Sequence, residues 1–334
     1  MAGEHKSCLL SQDWSSFNKM IEEVLSLSLP VGERLVIKKN RHLPKGLKPH
    51  NLEGLKRLCV VSGIHGDELE GQYICYELNR RLQEHPECLN GIVDVYPALN
   101  PMGVDTLQRG VPFFDLDMNR IFPGNANGAV EEWIASELIK EFSTSDFAID
   151  IHASNLFLRE IPQVRVNINS AEDLVEYAEM LDVDFVWIHQ ASTVLESTLA
   201  YSLNSIGVKT LVVEAGVGMR ITVDYCERLV NGILNLLKNE GMWTGPVDPV
   251  RKPIVSADRS VSFINAETSG VFVPTTRHSS QVVPGEIIGR ILDPFEGKVK
   301  EECVSAVKGL LFTLREYPIV NEGSLIARIL EEQK

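Results

Sequence analysis

Between residues 55 and 240, short apolar runs rich in β-branched residues alternate with longer segments of helical spacing, and this alternation restricts the fold more than any other feature. LCVVSG (58–63), IVDVYPAL (92–99), DFAIDIH (146–152), DFVWIH (184–189) and KTLVVEAG (209–216) read as strands. Several are apolar without a break, as strands covered on both faces are. Between them, ELEGQYICYELNRRLQ, GAVEEWIASELIKEF, SAEDLVEYAEML and TVDYCERLVNGILNLLKNEG carry helical periodicity. The pattern predicts an α/β fold: a three-layer domain with a mixed central sheet, whose functional residues gather at the carboxyl ends of the strands.

The pattern changes after Trp243. TGPVDPVRKP (244–253) reads as a linker, and helical spacing then gives way to SGVFVPT, EIIGRIL, VSAVKGLLFTL and GSLIARIL, β-type runs punctuated by glycine. We therefore expect a larger domain over 1–245, with its core at 55–240, and a small β-rich, barrel-like domain over 255–334. The first ~50 residues are expected to add a helix and an edge strand, the latter including ERLVIKK.

A formal net charge of −14 repels phosphate backbones and anionic membranes, so neither nucleic acid nor membrane is expected as a partner. No apolar stretch approaches the ~20 residues of a membrane span, and MAGEHKSCLL lacks the layout of a secretory signal, which places the expectation in the cytoplasm. The six cysteines are scattered, with no CxxC pair, and read as free thiols. Self-association is left open.

The strand ends carry the chemistry. In VSGIHGDELEG (61–71), His65 and Glu68 stand three apart where a strand stops and a helix starts, so both can face one ion. Alone, the pair reads equally as a capping histidine and a first-turn carboxylate. His152 ends another strand and supplies a third ligand; two histidines and one carboxylate, with a fourth position open, is a set used by catalytic zinc. Asp150, two residues earlier, could orient His152 or be a plain strand-end acid. Glu214, after an apolar strand and before a glycine, is a candidate general base or a salt-bridged glutamate. RGVPFFDLDMNRIFPG (109–124) adds Arg109, suited to a developing oxyanion, and Asn119 with Arg120, suited to clamping a carboxylate; structural ion pairs would explain each arginine as well. Arg159 and Arg165, in NLFLREIPQVRVN, lie beyond His152, where substrate side-chain specificity could be set; exposed surface arginines are the commoner reading of such a pair. His189 ends a strand and could line the same cleft, although it reads more readily as a structural histidine.

HGDE after a strand, DMNRIFPG about 50 residues later, DIH beyond it and a late VEAG resemble, in order and spacing, the succinylglutamate desuccinylase and aspartoacylase family, relatives of the zinc carboxypeptidases. The resemblance covers residues 55 to 240 and extends to a β-rich C-terminal domain somewhat like a biotinyl or lipoyl barrel. It implies one zinc ion per chain on His65, Glu68 and His152, a base at Glu214, a carboxylate clamp at Asn119 and Arg120, and a carbonyl-polarising role near Arg109. It implies hydrolysis of the linear amide of a small N-acyl amino acid, by the water and base such zinc sites use. A carboxypeptidase acting on a short peptide would need the same groups, and a non-catalytic zinc-binding regulatory protein could keep the fold. Lys308 lacks the Met-Lys-Met surroundings of lipoylated barrels, so modification there is not expected.

Overall fold

Strands that are apolar on both sides must be covered twice, and the computed structural model, which describes residues 21–47, 52–114, 116–190, 196–257 and 260–332, shows how the chain achieves this. An antiparallel hairpin, β1 (Ile21–Ser28) and β2 (Arg34–His42), leads into β3 (Arg57–Val61), α1 (Glu70–Glu84) and β4 (Ile92–Tyr96). Next come α2 (Pro101–Thr106), α3 (Val130–Phe142), β5 (Phe147–His152), β6 (Leu158–Asn167), α4 (Ala171–Ala178), β7 (Phe185–His189), α5 (Leu199–Ser205), β8 (Lys209–Gly216) and α6 (Val223–Asn239). Strands alone follow: β9 (Ile254–Ala257), β10 (Val261–Asn265), β11 (Gly270–Pro274), β12 (Gln281–Val282), β13 (Ile287–Asp293), β14 (Lys298–Val304), β15 (Gly309–Arg315), β16 (Ile319–Val320) and β17 (Leu325–Glu331).

The central strands β4, β3, β5 and β8 are parallel, and β6 runs antiparallel to β8, so the sheet is mixed. Every residue of β3, β4 and β5 is buried. One face packs on α1, α4 and α6 through residues such as Ile74, Leu78, Leu174, Leu229 and Ile233. The other packs on α3 and α5 through Ile134, Leu138, Leu199 and Leu203. At its carboxyl side the first half of β6 pairs with β15, while its second half pairs with β7. The large sheet thereby runs on through β15, β17 and β10, and a second, four-stranded sheet, β14-β13-β11-β16, closes a separate apolar core around Phe272, Ile288 and Ile291.

ERLVIKK forms β2, which lies one strand in from the edge; β1 takes the edge position, and no helix precedes β3 among the described residues. Between β2, β4, β3 and α3 lies a buried charge cluster. Asp94, fully buried, accepts from Arg41 through both oxygens at 2.8 Å and from Arg57 Nε at 2.8 Å, and Lys39 Nζ stands 3.6 Å away. Burial opposes the Asp94 charge, but the Arg41 hydrogen bond and the fields of Arg57 and Lys39 outweigh it and hold its pKa below the usual carboxylate value.

Candidate active site

Two adjacent parallel strands and one loop assemble the site. After β3 ends, the loop through His65 and Glu68 folds back over α2 before α1 begins at Glu70. Gly66 makes that approach: its N–H donates to the Gln108 carbonyl at 3.0 Å, and a Cβ on it would stand 1.9 Å from the carbonyl carbon of Gly103. Only a residue without a side chain allows the two backbones so close. His152 is the last residue of β5, and its neighbour in register on β8 is Glu214.

His65, Glu68 and His152 are all buried, and one donor atom from each lies within 4.8 Å of the others. The two Nδ1 atoms face each other at 3.2 Å. Glu68 spans them, with Oε1 2.8 Å from His65 Nδ1 and Oε2 2.9 Å from His152 Nδ1. The outer nitrogens are held from behind: His65 Nε2 lies 3.0 Å from Asp117 Oδ1, and His152 Nε2 lies 3.1 Å from Asp150 Oδ2. An outer carboxylate favours the Nε2–H tautomer and turns the Nδ1 lone pair inward. Two inward lone pairs and a carboxylate, separated by roughly the ~3.3 Å edge expected of ligands about 2.0 Å from a tetrahedral ion, form a donor set that fits zinc.

Without a metal, the same contacts set the charges of the cluster. Burial opposes ionised Glu68, but the two imidazoles outweigh it and keep the carboxyl well below its ordinary range. Burial likewise opposes a charged His152, yet Asp150 and Glu68 push its pKa well above the usual histidine value. Asp117 is driven down by His65 and Arg109 despite its burial. The pocket is thus built to stabilise positive charge at its centre.

The turn after β5 ties the cluster to Glu214. Ala153 N–H donates to Glu68 Oε2 at 3.1 Å, and Ser154 N–H, from a residue at φ +50°, donates to Glu214 Oε2 at 2.7 Å. Glu214 Oε1 lies 3.1 Å from an Arg165 nitrogen. Arg109 donates to Glu68 Oε1 at 3.0 Å and to Asp117 Oδ2 at 3.1 Å, which sets its guanidinium against the His–Glu–His cluster. Asn119 accepts from Leu199 N–H at 2.9 Å, and its amide nitrogen lies 3.5 Å from His152 Nε2. Arg120 is exposed, donates to the Asn119 carbonyl at 2.7 Å, and has no carboxylate at ion-pair distance among the described residues.

These groups line one cavity of about 420 Å³, together with Trp187, His189 and Arg328. Arg159 is not brought to it. That side chain pairs with Glu316 at 3.1 Å and donates to Thr222 Oγ1 at 3.3 Å. An extra residue in β6 between Glu160 and Gln163 turns the strand so that Arg159 and Arg165 leave on different faces. His189 reaches the cavity wall, with Nδ1 3.0 Å from the Gln190 carbonyl oxygen. Three contributors were not singled out in the sequence. Asp117 sits two residues before Asn119 in the same DMNR stretch, which is a usable signal; Ser154 acts through its backbone; Arg328 lies on β17 and carries no local signal.

The comparisons with known proteins agree with this architecture. The profile of the succinylglutamate desuccinylase/aspartoacylase catalytic domain matches residues 54–239, and the chain belongs to that family. An N-alpha-acetyl-L-2,4-diaminobutyric acid deacetylase of Halomonas elongata is 26% identical over 280 residues, which cover 81% of each chain. The crystal structure of a succinylglutamate desuccinylase/aspartoacylase from Rhodobacter sphaeroides superposes with a TM-score of 0.75 at 22% identity, over 92% of this chain and 93% of the other. The product-bound ectoine utilization protein EutE (DoeB) of Ruegeria pomeroyi gives the same TM-score at 18% identity, over 91% and 92%. No helix among the described residues is long and apolar enough to cross a membrane.

Proposed function

We propose that this chain is a zinc-dependent amidohydrolase that removes the acyl group from a small N-acyl amino acid. The observation that carries the proposal is the convergence of His65, Glu68 and His152, each buried, in one cavity with Glu214 and a guanidinium, Arg120, that has no carboxylate at ion-pair distance among the described residues. A zinc ion held by those three side chains would supply Lewis-acid polarisation of the amide carbonyl and a water of lowered pKa.

The remaining work falls to the protein. Glu214, fixed through Oε2 by the Ser154 N–H, takes the proton from the attacking water and delivers it to the departing amine nitrogen as the C–N bond breaks. Arg109, beside Glu68, donates to the carbonyl oxygen as charge develops there. Arg120 and the Asn119 amide bind the carboxylate of the amino-acid portion, a role to which a planar guanidinium is suited. A cavity of about 420 Å³ sits toward the small end of ligand pockets and suits an acylated amino acid better than a peptide.

The test combines metal content with turnover of a panel of N-acetyl and N-succinyl amino acids by the wild type and Glu214→Gln. We expect near-stoichiometric zinc in both proteins and amine release by the wild type alone. Zinc retained with equal turnover in the variant would remove Glu214 from the mechanism, and zinc with peptide cleavage alone would replace the deacylase reading with the carboxypeptidase one.

A further inference from the structure

A row of polar side chains crosses the large sheet from the C-terminal strands to Glu214. Thr313 on β15 faces Glu160 on β6 in register, and Arg328 on β17 faces Thr313. Glu160 is fully buried and accepts five hydrogen bonds within this row and its surroundings, the longest from Ser154 Oγ to Oε1 at 3.5 Å. Gln163 Nε2 at 2.9 Å and Thr313 Oγ1 at 2.5 Å reach its Oε2, while Arg328 at 2.9 Å and Arg165 at 3.3 Å share its Oε1. The other terminal nitrogen of Arg165 faces Glu214 at 3.1 Å. Both guanidinium groups also lie over the Trp187 ring, at 5.6 Å for Arg165 and 5.5 Å for Arg328, which fixes their planes.

Arg165 is therefore held between two carboxylates that compete for it. Arg328 decides the contest, because it is the nearer cation to Glu160, and Glu160 is the only hydrogen-bond partner of its guanidinium among the described residues. A buried carboxylate that loses its main counterion draws strongly on the next one. Without Arg328, Arg165 would close on Glu160 and leave Glu214.

We propose that Arg328 is a positioning residue that, by pairing with Glu160, leaves Arg165 against Glu214, so that the C-terminal strands set the placement of the candidate general base. The proposal rests on the reading of Glu214 given above. It assigns the β-rich segment a part in the chemistry rather than in cover alone. It also explains why a carboxylate in the middle of a sheet, buried against its charge, is surrounded by five hydrogen-bond donors.

The experiment compares Arg328→Met, Arg328→Lys and the double variant Glu160→Gln/Arg328→Met, each checked for zinc content and thermal unfolding. Arg328→Met should lower kcat by roughly 10- to 100-fold, the scale of a misplacement of about 1 Å, with KM within about twofold. The double variant removes the unpaired carboxylate and should recover kcat to within about threefold of wild type. Arg328→Lys, which keeps the charge, should lie close to wild type. Unchanged kcat in Arg328→Met, a rise in KM alone, or a double variant no better than the single one would each overturn the proposal. Should Arg328→Met not fold, the double variant against Glu160→Gln alone decides, since the proposal requires their kcat values to agree.

A crystal structure of the variant gives a readout independent of turnover. Arg165 should have moved off Glu214 onto Glu160 in Arg328→Met, and an Arg165–Glu214 contact still in place would overturn the proposal. If the wild type hydrolyses no N-acyl amino acid, the functional reading fails on its own while the position of Arg165 still decides this one.

Discussion

Replacing Gly66 with alanine separates a structural account of the site from a list of candidate ligands, because Gly66 contributes no candidate ligand atom and does not line the cavity. The added Cβ would stand 1.9 Å from the Gly103 carbonyl carbon, 2.2 Å from its oxygen and 2.4 Å from Val104 nitrogen. The first contact is about 1.5 Å inside ordinary van der Waals distance, and every obstructing atom is backbone. That backbone cannot give cheaply: Gly103 oxygen accepts from Gln108 N–H at 2.9 Å, and Gln108 oxygen accepts from Gly66 N–H at 3.0 Å. The loop must lift instead, and it carries His65 on one side and Glu68 two residues beyond. Overpacking of this kind costs about 1–3 kcal/mol of stability. A His65 shifted by about 1 Å should weaken zinc binding by at least the 10- to 100-fold typical of disturbed ligand support. Chelator competition measures the affinity, and thermal unfolding of the metal-free protein measures the packing cost. A Gly66→Ala protein with zinc affinity within about threefold of wild type would refute the argument that this contact fixes His65.

Three further outcomes follow from the same geometry. Asp94→Asn should destabilise the fold by about 3–5 kcal/mol in urea titrations, since it strips the shared counterion from Arg41, Arg57 and Lys39. Its folded pKa lies below the unfolded value of about 3.9, so its contribution is complete above that pH and drains as pH falls through the folded value. The wild-type urea midpoint should therefore fall more steeply than the variant's below about pH 4, and parallel profiles would count against it. Arg120→Leu should raise KM by about 10- to 100-fold with little change in kcat, the worth of one charge-assisted clamp; an equal loss in kcat would assign Arg120 to the transition state. Removing the metal with a chelator should lower the unfolding temperature, and zinc at about 100 times its Kd should restore about 2.7 kcal/mol; an unchanged unfolding temperature would leave the cluster without an ion.

What the sequence disclosed, and what it did not, follows from the range of the interactions involved. β3, β5 and β8 were readable because burial on both faces imposes an unbroken apolar run, which a local window detects. His65, Glu68, His152 and Glu214 were readable because the fold places them where such runs end, so that strand prediction and ligand chemistry point to one sheet edge. The paired reading of Arg159 and Arg165 did not survive, because one extra residue between Glu160 and Gln163 inverts the strand's alternation, and a bulge leaves no periodic trace.

Arg328 marks the farther limit. It reaches the cavity only because β6 turns half of its edge to β15, which brings β17 behind it, and that pairing joins residues more than 150 positions apart. Nothing in SLIARIL separates an arginine that ends on a buried glutamate from one that ends in water. The register does, and register is a property of the assembled sheet. The same reasoning accounts for Glu160, a buried carboxylate that makes sense only once Thr313, Gln163 and two guanidinium groups have arrived from three strands. A site of this kind divides accordingly: the candidate ligands are written at strand ends within one segment, and the groups proposed to steady the candidate base are written across the whole sheet.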